Sequence, residues 1–147
     1  MIEAKGIKIS EDKDPISDLL FHHRAYLKEL FSNPHLKPEY KRYLQVSFTA
    51  RDSLSQKVGG LVGLVSFDYG YIEVVWVDSK VQGQNIGKTL VEEFERRVQA
   101  LNCQRVQTVI NSYDQSLGFW TKLGYSVFHE LPSPARDFSI QYLQKIF

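Results

Sequence analysis

One carboxylate, Glu73, interrupts an otherwise β-branched and aromatic run, Tyr71-Ile-Glu-Val-Val-Trp-Val77. Such a run predicts a strand. An acid among valines is either salt-bridged on a half-exposed strand or placed there to move a proton. The run leads into Asp78–Gly87, a polar turn that holds Gly83, Asn85 and Gly87. Beyond it, Ile86, Leu90, Val91, Phe94, Val98 and Leu101 fall on one helical face. Glu92–Arg96 and Glu93–Arg97, at i,i+4 spacing, suit the solvated side. A strand–turn–helix of this kind aims free backbone N–H groups and the positive helix end at one point. That is an anion site, best suited to a phosphate. Lys80 and Lys88 flank the turn and can add charge to it.

The remaining reactive side chains point elsewhere. His23 lies on the apolar stripe of the first predicted helix and reads as a core histidine, whereas His22 lies off that stripe. His35 and His129 have no ligand spacing to each other or to a carboxylate, so no metal site is expected. Cys103 is the one cysteine, which excludes an intramolecular disulfide. It follows a helix cap and enters a strand, so it reads as a small buried hydrophobe rather than a nucleophile.

Two kinds of phosphate-binding turn compete for this stretch. Gly87-Lys88-Thr89 matches the end of a P-loop, but that motif needs a glycine at position 82, where Gln82 stands. A P-loop fold also wants an acidic metal ligand ending a later strand, and the strand Gln104–Ile110 is followed by Asn111. The segment Gln82-Gly83-Gln84-Asn85-Ile86-Gly87 instead resembles the Gln/Arg-x-x-Gly-x-Gly/Ala pyrophosphate loop of the GCN5-related N-acetyltransferases (GNAT). Val77 precedes it by the distance at which that family ends its fourth strand. Asn85 replaces the first motif glycine, and asparagine is the next best residue at positive φ. Downstream, Phe119-Trp-Thr-Lys-Leu-Gly-Tyr125 resembles the family's Phe-Tyr-x-Lys-Leu-Gly-Phe/Tyr segment. Phe128-His-Glu-Leu-Pro132 is similar to a segment of small bacterial members. The order and spacing of these blocks, across roughly the C-terminal half, carry the resemblance.

The resemblance implies an α/β fold: a mixed, mostly antiparallel sheet flanked by helices, whose central strands splay to admit acetyl-CoA. It implies an acetyl-CoA-dependent N-acetyltransferase, in which a bound primary amine attacks the thioester with no covalent enzyme intermediate. The amine must lose a proton, the oxyanion needs a donor, and the sulfur must leave. Glu73 is the candidate base, acting through a water. It shares a face with Val75 and Val77 in a regular strand, and partial burial beside Val75 and Tyr71 is expected. The Val77 N–H is the implied oxyanion donor. Trp76, Val77, Gln82, Gly83, Gln84, Asn85, Ile86, Gly87, Lys88 and Trp120 are the candidate cofactor contacts. Trp120 stands where many members carry a tyrosine that protonates the thiolate. An indole N–H donates a hydrogen bond but no proton, so Tyr113, or Ser112, is the substitute acid unless the thiolate leaves unaided. His22 and Tyr26, with Tyr40 and Tyr43, are candidates for the acceptor pocket, whose ligand is a small-molecule or peptide amine. The rival reading is a non-catalytic acyl-CoA-binding or sensor module of the same fold.

The rest of the chain fits one domain, 1–147. At 147 residues, 43% hydrophobic and 24% charged, it can bury a single core unaided. A formal net charge of +1 gives no case for nucleic acid or an acidic membrane as partner. No apolar run approaches spanning length and the N-terminus lacks an apolar signal core, so a soluble cytoplasmic protein is expected, with a homodimer as a possible assembly. Strands are predicted near Gly6–Ser10, at Tyr43–Ala50 and Val58–Phe67, and at Ser126–Leu131 and Phe138–Leu143. Asp14-Pro15 opens a helix with Asp14 as N-cap, which Ser32-Asn33-Pro34 stops. Asp114 caps a second, shorter one ending at Gly124. Gly59, Gly60 and Gly63 in a central strand predict bulges or close backbone approach, and Asp68-Tyr69-Gly70 predicts a hairpin.

Overall fold

The computed structural model describes residues 2–4, 6–9, 15–113, 115–132 and 137–147. The chain forms two compact units, residues 1–38 and 39–147. In the first, strands β1 (Ile2–Ala4) and β2 (Ile7–Ile9) form an antiparallel hairpin of their own, turned at Gly6 with φ 79°. The expected strand near Gly6 is therefore one arm of this small sheet. Helix α1 (Pro15–Phe31) follows; its expected cap, Asp14, lies outside the described residues. His23, Leu27, Leu30 and Phe31 are half-buried, as the predicted stripe requires, while His22 and Tyr26 are exposed. Ser32 ends the helix by donating from its hydroxyl to the Glu29 carbonyl.

The second unit is a six-stranded sheet. Its strands are β3 (Tyr43–Arg51), β4 (Lys57–Ser66), β5 (Tyr69–Val77), β6 (Arg105–Asn111), β7 (Ser126–Pro132) and β8 (Ser139–Ile146), in the order β3-β4-β5-β6-β8-β7. Every neighbouring pair is antiparallel except β5–β6. That parallel pair needs a crossover, which helix α2 (Ile86–Ala100) supplies. Leu90, Val91, Phe94 and Val98 carry the predicted apolar face of α2 onto Leu61, Val65, Ile72, Val106 and Leu143 of the sheet. The helix stops where Asn102 turns to φ 60° and its N–H bonds to the Gln99 carbonyl. Helix α3 (Leu117–Lys122) packs beside α2, burying Trp120. Its expected cap, Asp114, is not among the described residues. No helix among the described residues is long and apolar enough to cross a membrane.

Two local features shape the sheet. The β4–β5 hairpin turns one step earlier than expected, at Phe67-Asp68, with Phe67 at φ 52°. A phenylalanine tolerates this positive φ because Arg42 grips it: the Arg42 Nε donates to the Phe67 carbonyl at 2.9 Å, and the Phe67 N–H donates to the Arg42 carbonyl. The second feature is a bulge. Gly63 pairs with Ile72 and Val62 with Val74, so Glu73 has no partner in β4. Gly63 is required at this point, since a Cβ there would lie 2.7 Å from the Tyr71 carbonyl oxygen and 2.8 Å from the Phe94 ring. Gly63→Ala is expected to cost about 1–3 kcal/mol by overpacking; an unchanged melting temperature would show that the strand relaxes freely.

Behind Trp120 lies a polar knot within the core. The Tyr125 hydroxyl donates to Glu95 Oε2 at 2.9 Å and Lys145 Nζ donates to Glu95 Oε1 at 3.0 Å. Burial, and then the adjacent Glu95 carboxylate, hold the Tyr125 hydroxyl protonated far above the usual phenol range. The Trp120 and Tyr125 rings meet edge to face at 5.0 Å. The short helix is thereby fixed against α2 and β8.

Candidate active site

Strands β5 and β6 stay paired only as far as Ile72 and Thr108. At that fork the Thr108 hydroxyl, itself buried, donates to the Ile72 carbonyl at 2.9 Å. The residue after Ile72 is Glu73. The bulge against β4 and the fork from β6 therefore meet at the one carboxylate of the strand. A bulge increases local twist, which turns the end of β5 away from β6.

The fork opens into a cleft of about 820 Å³. Its β5 wall runs from Ile72 to Val77, and its β6 wall is Thr108, Val109 and Ile110. Gln82, Gly83, Asn85, Ile86, Gly87 and Lys88 form one end, and Ser116, Phe119, Trp120, Lys122 and Leu123 of the α3 region form the other side.

Backbone groups dominate the polar chemistry of the cleft. The Asp78 N–H donates to the Val58 carbonyl at 2.8 Å, on the β4 side. Strand alternation then turns the N–H and C=O of Val77, and those of Val75, toward the cleft, beyond the last β6 pair. Gln82 Nε2 reaches back to the Val77 carbonyl at 3.3 Å. At the turn, Gly83 has φ 84° and Asn85 has φ 61°, ψ 21°, the left-handed conformation. Asn85 thus does what the glycine it replaces would do. Its carbonyl accepts from both the N–H and the hydroxyl of Thr89, closing the first turn of α2. The N–H groups of Ile86, Gly87 and Lys88 precede the first intrahelical donor and so remain for an anion. Lys88 Nζ lies 3.9 Å from Glu92 Oε1, an exposed i,i+4 pair on α2.

Glu73, Trp76, Val77, Gln82, Gly83, Asn85, Ile86, Gly87, Lys88 and Trp120 all line the cleft, and Gln84 does not. Glu73 is exposed rather than partly buried. The bulge also breaks the regular alternation: Val75 pairs with buried Leu61 while Val74 pairs with Val62. Its charge is felt on the opposite side of the sheet, where it is the second cause, after burial, of raised hydroxyl pKa values at Tyr43 and Tyr71. Tyr113 is 77% exposed, lies tilted against Phe138 at 6.3 Å and does not line the cleft. Ser112 accepts the Ser139 N–H on its hydroxyl oxygen at 2.9 Å. His22 and Tyr26 belong to α1, in the N-terminal unit. Cys103 is buried, receives a hydrogen bond from Arg42 at 3.1 Å, and has its thiol pushed up by burial more than Arg42 pulls it down.

Sequence reasoning did not single out Thr108, Ser116 or Phe119. Phe119 has a readable signal in the Phe119-Trp120 block, and a Cβ on Gly87 would stand 3.3 Å from its ring. Thr108 and Ser116 carry no local signal, because only the fork brings them to the cleft.

Comparisons with known proteins agree with this geometry. The family model described as "Acetyltransferase (GNAT) family" matches residues 14–125. Blasticidin-S acetyltransferase from Streptomyces morookaense is 29% identical over 76 residues, 50% of this chain and 54% of that protein. The match therefore spans about half the length of that relative. An acetyltransferase from Bacillus cereus has the same fold, with a TM-score of 0.73 at 20% identity over 95% of this chain and 98% of its own. A provisionally assigned streptothricin acetyltransferase from Bacillus anthracis, in complex with acetyl coenzyme A, gives 0.66 at 19% identity over 80% of this chain and 71% of its own. With the forked strands, the left-handed Asn85 and a family match over most of its length, the chain belongs to the GNAT acetyltransferase family.

Proposed function

We propose that this protein, as one domain, transfers the acetyl group of acetyl-CoA directly to the primary amine of a small molecule. The observation that carries the reading is the fork at Ile72 and Thr108, which leaves Glu73, the Val77 N–H and the α2 N-terminus on one cleft. The pyrophosphate of acetyl-CoA would be held by the N–H groups from Gly83 to Lys88, and its pantetheine arm by the Val75 and Val77 backbone groups. The Val77 N–H would meet the oxyanion as the amine adds to the carbonyl. Glu73 would take the amine proton through a water. Acetyl-CoA in complex with a structural neighbour, and the small-molecule names of that neighbour and of the Streptomyces relative, support donor and acceptor class.

Departure of the thiolate needs no enzyme acid on this reading. Trp120 is buried at the wall of the cleft and has no proton to give, and Tyr113 stands apart. A thiol of pKa near 8.5 is a tolerable leaving group unaided. Trp120→Phe should therefore retain measurable turnover, with some loss of stability from the missing edge contacts. Abolished turnover with fold and acetyl-CoA affinity intact would assign Trp120 a role in the leaving step. The experiment that tests the whole reading is thiol release from acetyl-CoA with a panel of amines, with the product identified by mass.

A further inference from the structure

A second hollow, of about 510 Å³, adjoins the first. Ile72 and Leu143 point into the core under α2. By strand alternation their neighbours Tyr71 and Tyr142 therefore stand on the opposite face. There they line the hollow with Tyr69, Phe128 and Gln107. Thr108 and Val109 line both cavities, so the two share a wall at the fork.

The chemistry of this hollow is that of a cation site. Four aromatic rings surround it, and ring faces attract ammonium and guanidinium groups. The Tyr69 ring already carries the Arg105 guanidinium at 5.8 Å, a cation–π contact beside the hollow. Tyr142 is edge-on to Phe128 at 6.3 Å and tilted against His129 at 5.7 Å, so its ring is held in place. The charged groups felt in this region are Glu73, through Tyr71, and Arg105, over Tyr69; His129 is titratable and beside Tyr142. No carboxylate or ammonium lines the hollow itself among the described residues.

Building on the transfer reading above, we propose that this hollow selects the acceptor: a small amine with a second cationic group. The second cation lies against the Tyr71 and Tyr142 rings, while the reacting amine reaches Glu73 past Thr108 and Val109. An anionic tail at the same place would face the negative ring quadrupoles and meet the field of Glu73. The Tyr71 hydroxyl pKa is raised first by burial and then by the Glu73 charge.

The test compares three acceptors of similar length: 1,5-diaminopentane, n-pentylamine and 6-aminohexanoate. A cation–π contact of the usual size predicts a kcat/KM for the diamine higher than for pentylamine by roughly two- to thirtyfold, with the aminohexanoate lowest. Tyr142→Leu should raise the diamine KM by a similar factor and shift the pentylamine KM less, while Tyr142→Phe keeps the ring and most of the affinity. Equal use of all three acceptors, or a Tyr142→Leu penalty the same for each, would overturn the inference. Calorimetric titration of the three amines into protein saturated with CoA reads the same preference without turnover. If nothing is acetylated, the transfer reading fails, and this titration still decides the cation site: tighter diamine binding sustains it and equal binding ends it.

Discussion

Glu73→Gln should lower turnover by roughly 10²–10⁴ at neutral pH, the usual worth of a positioned base. Acetyl-CoA affinity should be unchanged, since glutamine keeps the shape and the backbone contacts of the cleft do not involve the carboxylate. The loss should shrink as pH rises, because more of the amine arrives already deprotonated. Glu73 is unpaired against β4 and stands just past the last pair with β6, so no ladder constraint fixes it for purely structural reasons. The salt-bridge alternative makes the opposite forecast. Under it, the pH–rate profiles of Glu73→Gln and the unmodified protein overlay across the whole range.

Gly87→Val should weaken acetyl-CoA binding by roughly tenfold or more, equivalent to about 1.4 kcal/mol. A Cβ at this position would stand 3.3 Å from the Phe119 ring and 3.6 Å from Val77 Cγ2. The branched methyls would crowd the Phe119 ring, which itself lines the cleft. The fold should survive at a cost of about 1–3 kcal/mol. A folded variant with unchanged affinity by calorimetry would place the donor elsewhere.

Local physics made much of this molecule readable from its residues. The αL demand at position 85 is one case: asparagine is tolerated there, and Asn85 has φ 61°. The amphipathic period of α2 is another, because burial against a sheet leaves a 3.6-residue trace. The clustered glycines of β4 also carried information, and Gly63 does sit at a bulge. What the bulge does was not readable. A regular strand puts Glu73 on the face of Val75 and Val77, and only the slip between Val62 and Gly63 cancels that register. The path of the loop after β6 was equally hidden, since nothing near Tyr113 encodes its contact with Phe138. The aromatic hollow was hidden for a topological reason. Tyr71 and Tyr142 are far apart in the chain, and only the insertion of β8 between β6 and β7 brings them to one face.

The central claim is transfer rather than mere binding, and one measurement meets it directly. Acetyl-CoA is incubated with the protein and 1,5-diaminopentane, while free thiol and acetylated product are followed together. The account predicts stoichiometric release of CoA thiol and appearance of the N-acetyl amine. Saturable acetyl-CoA binding with no acetylated product from this or any other amine in the panel would contradict it, and would make the protein an acyl-CoA-binding module instead.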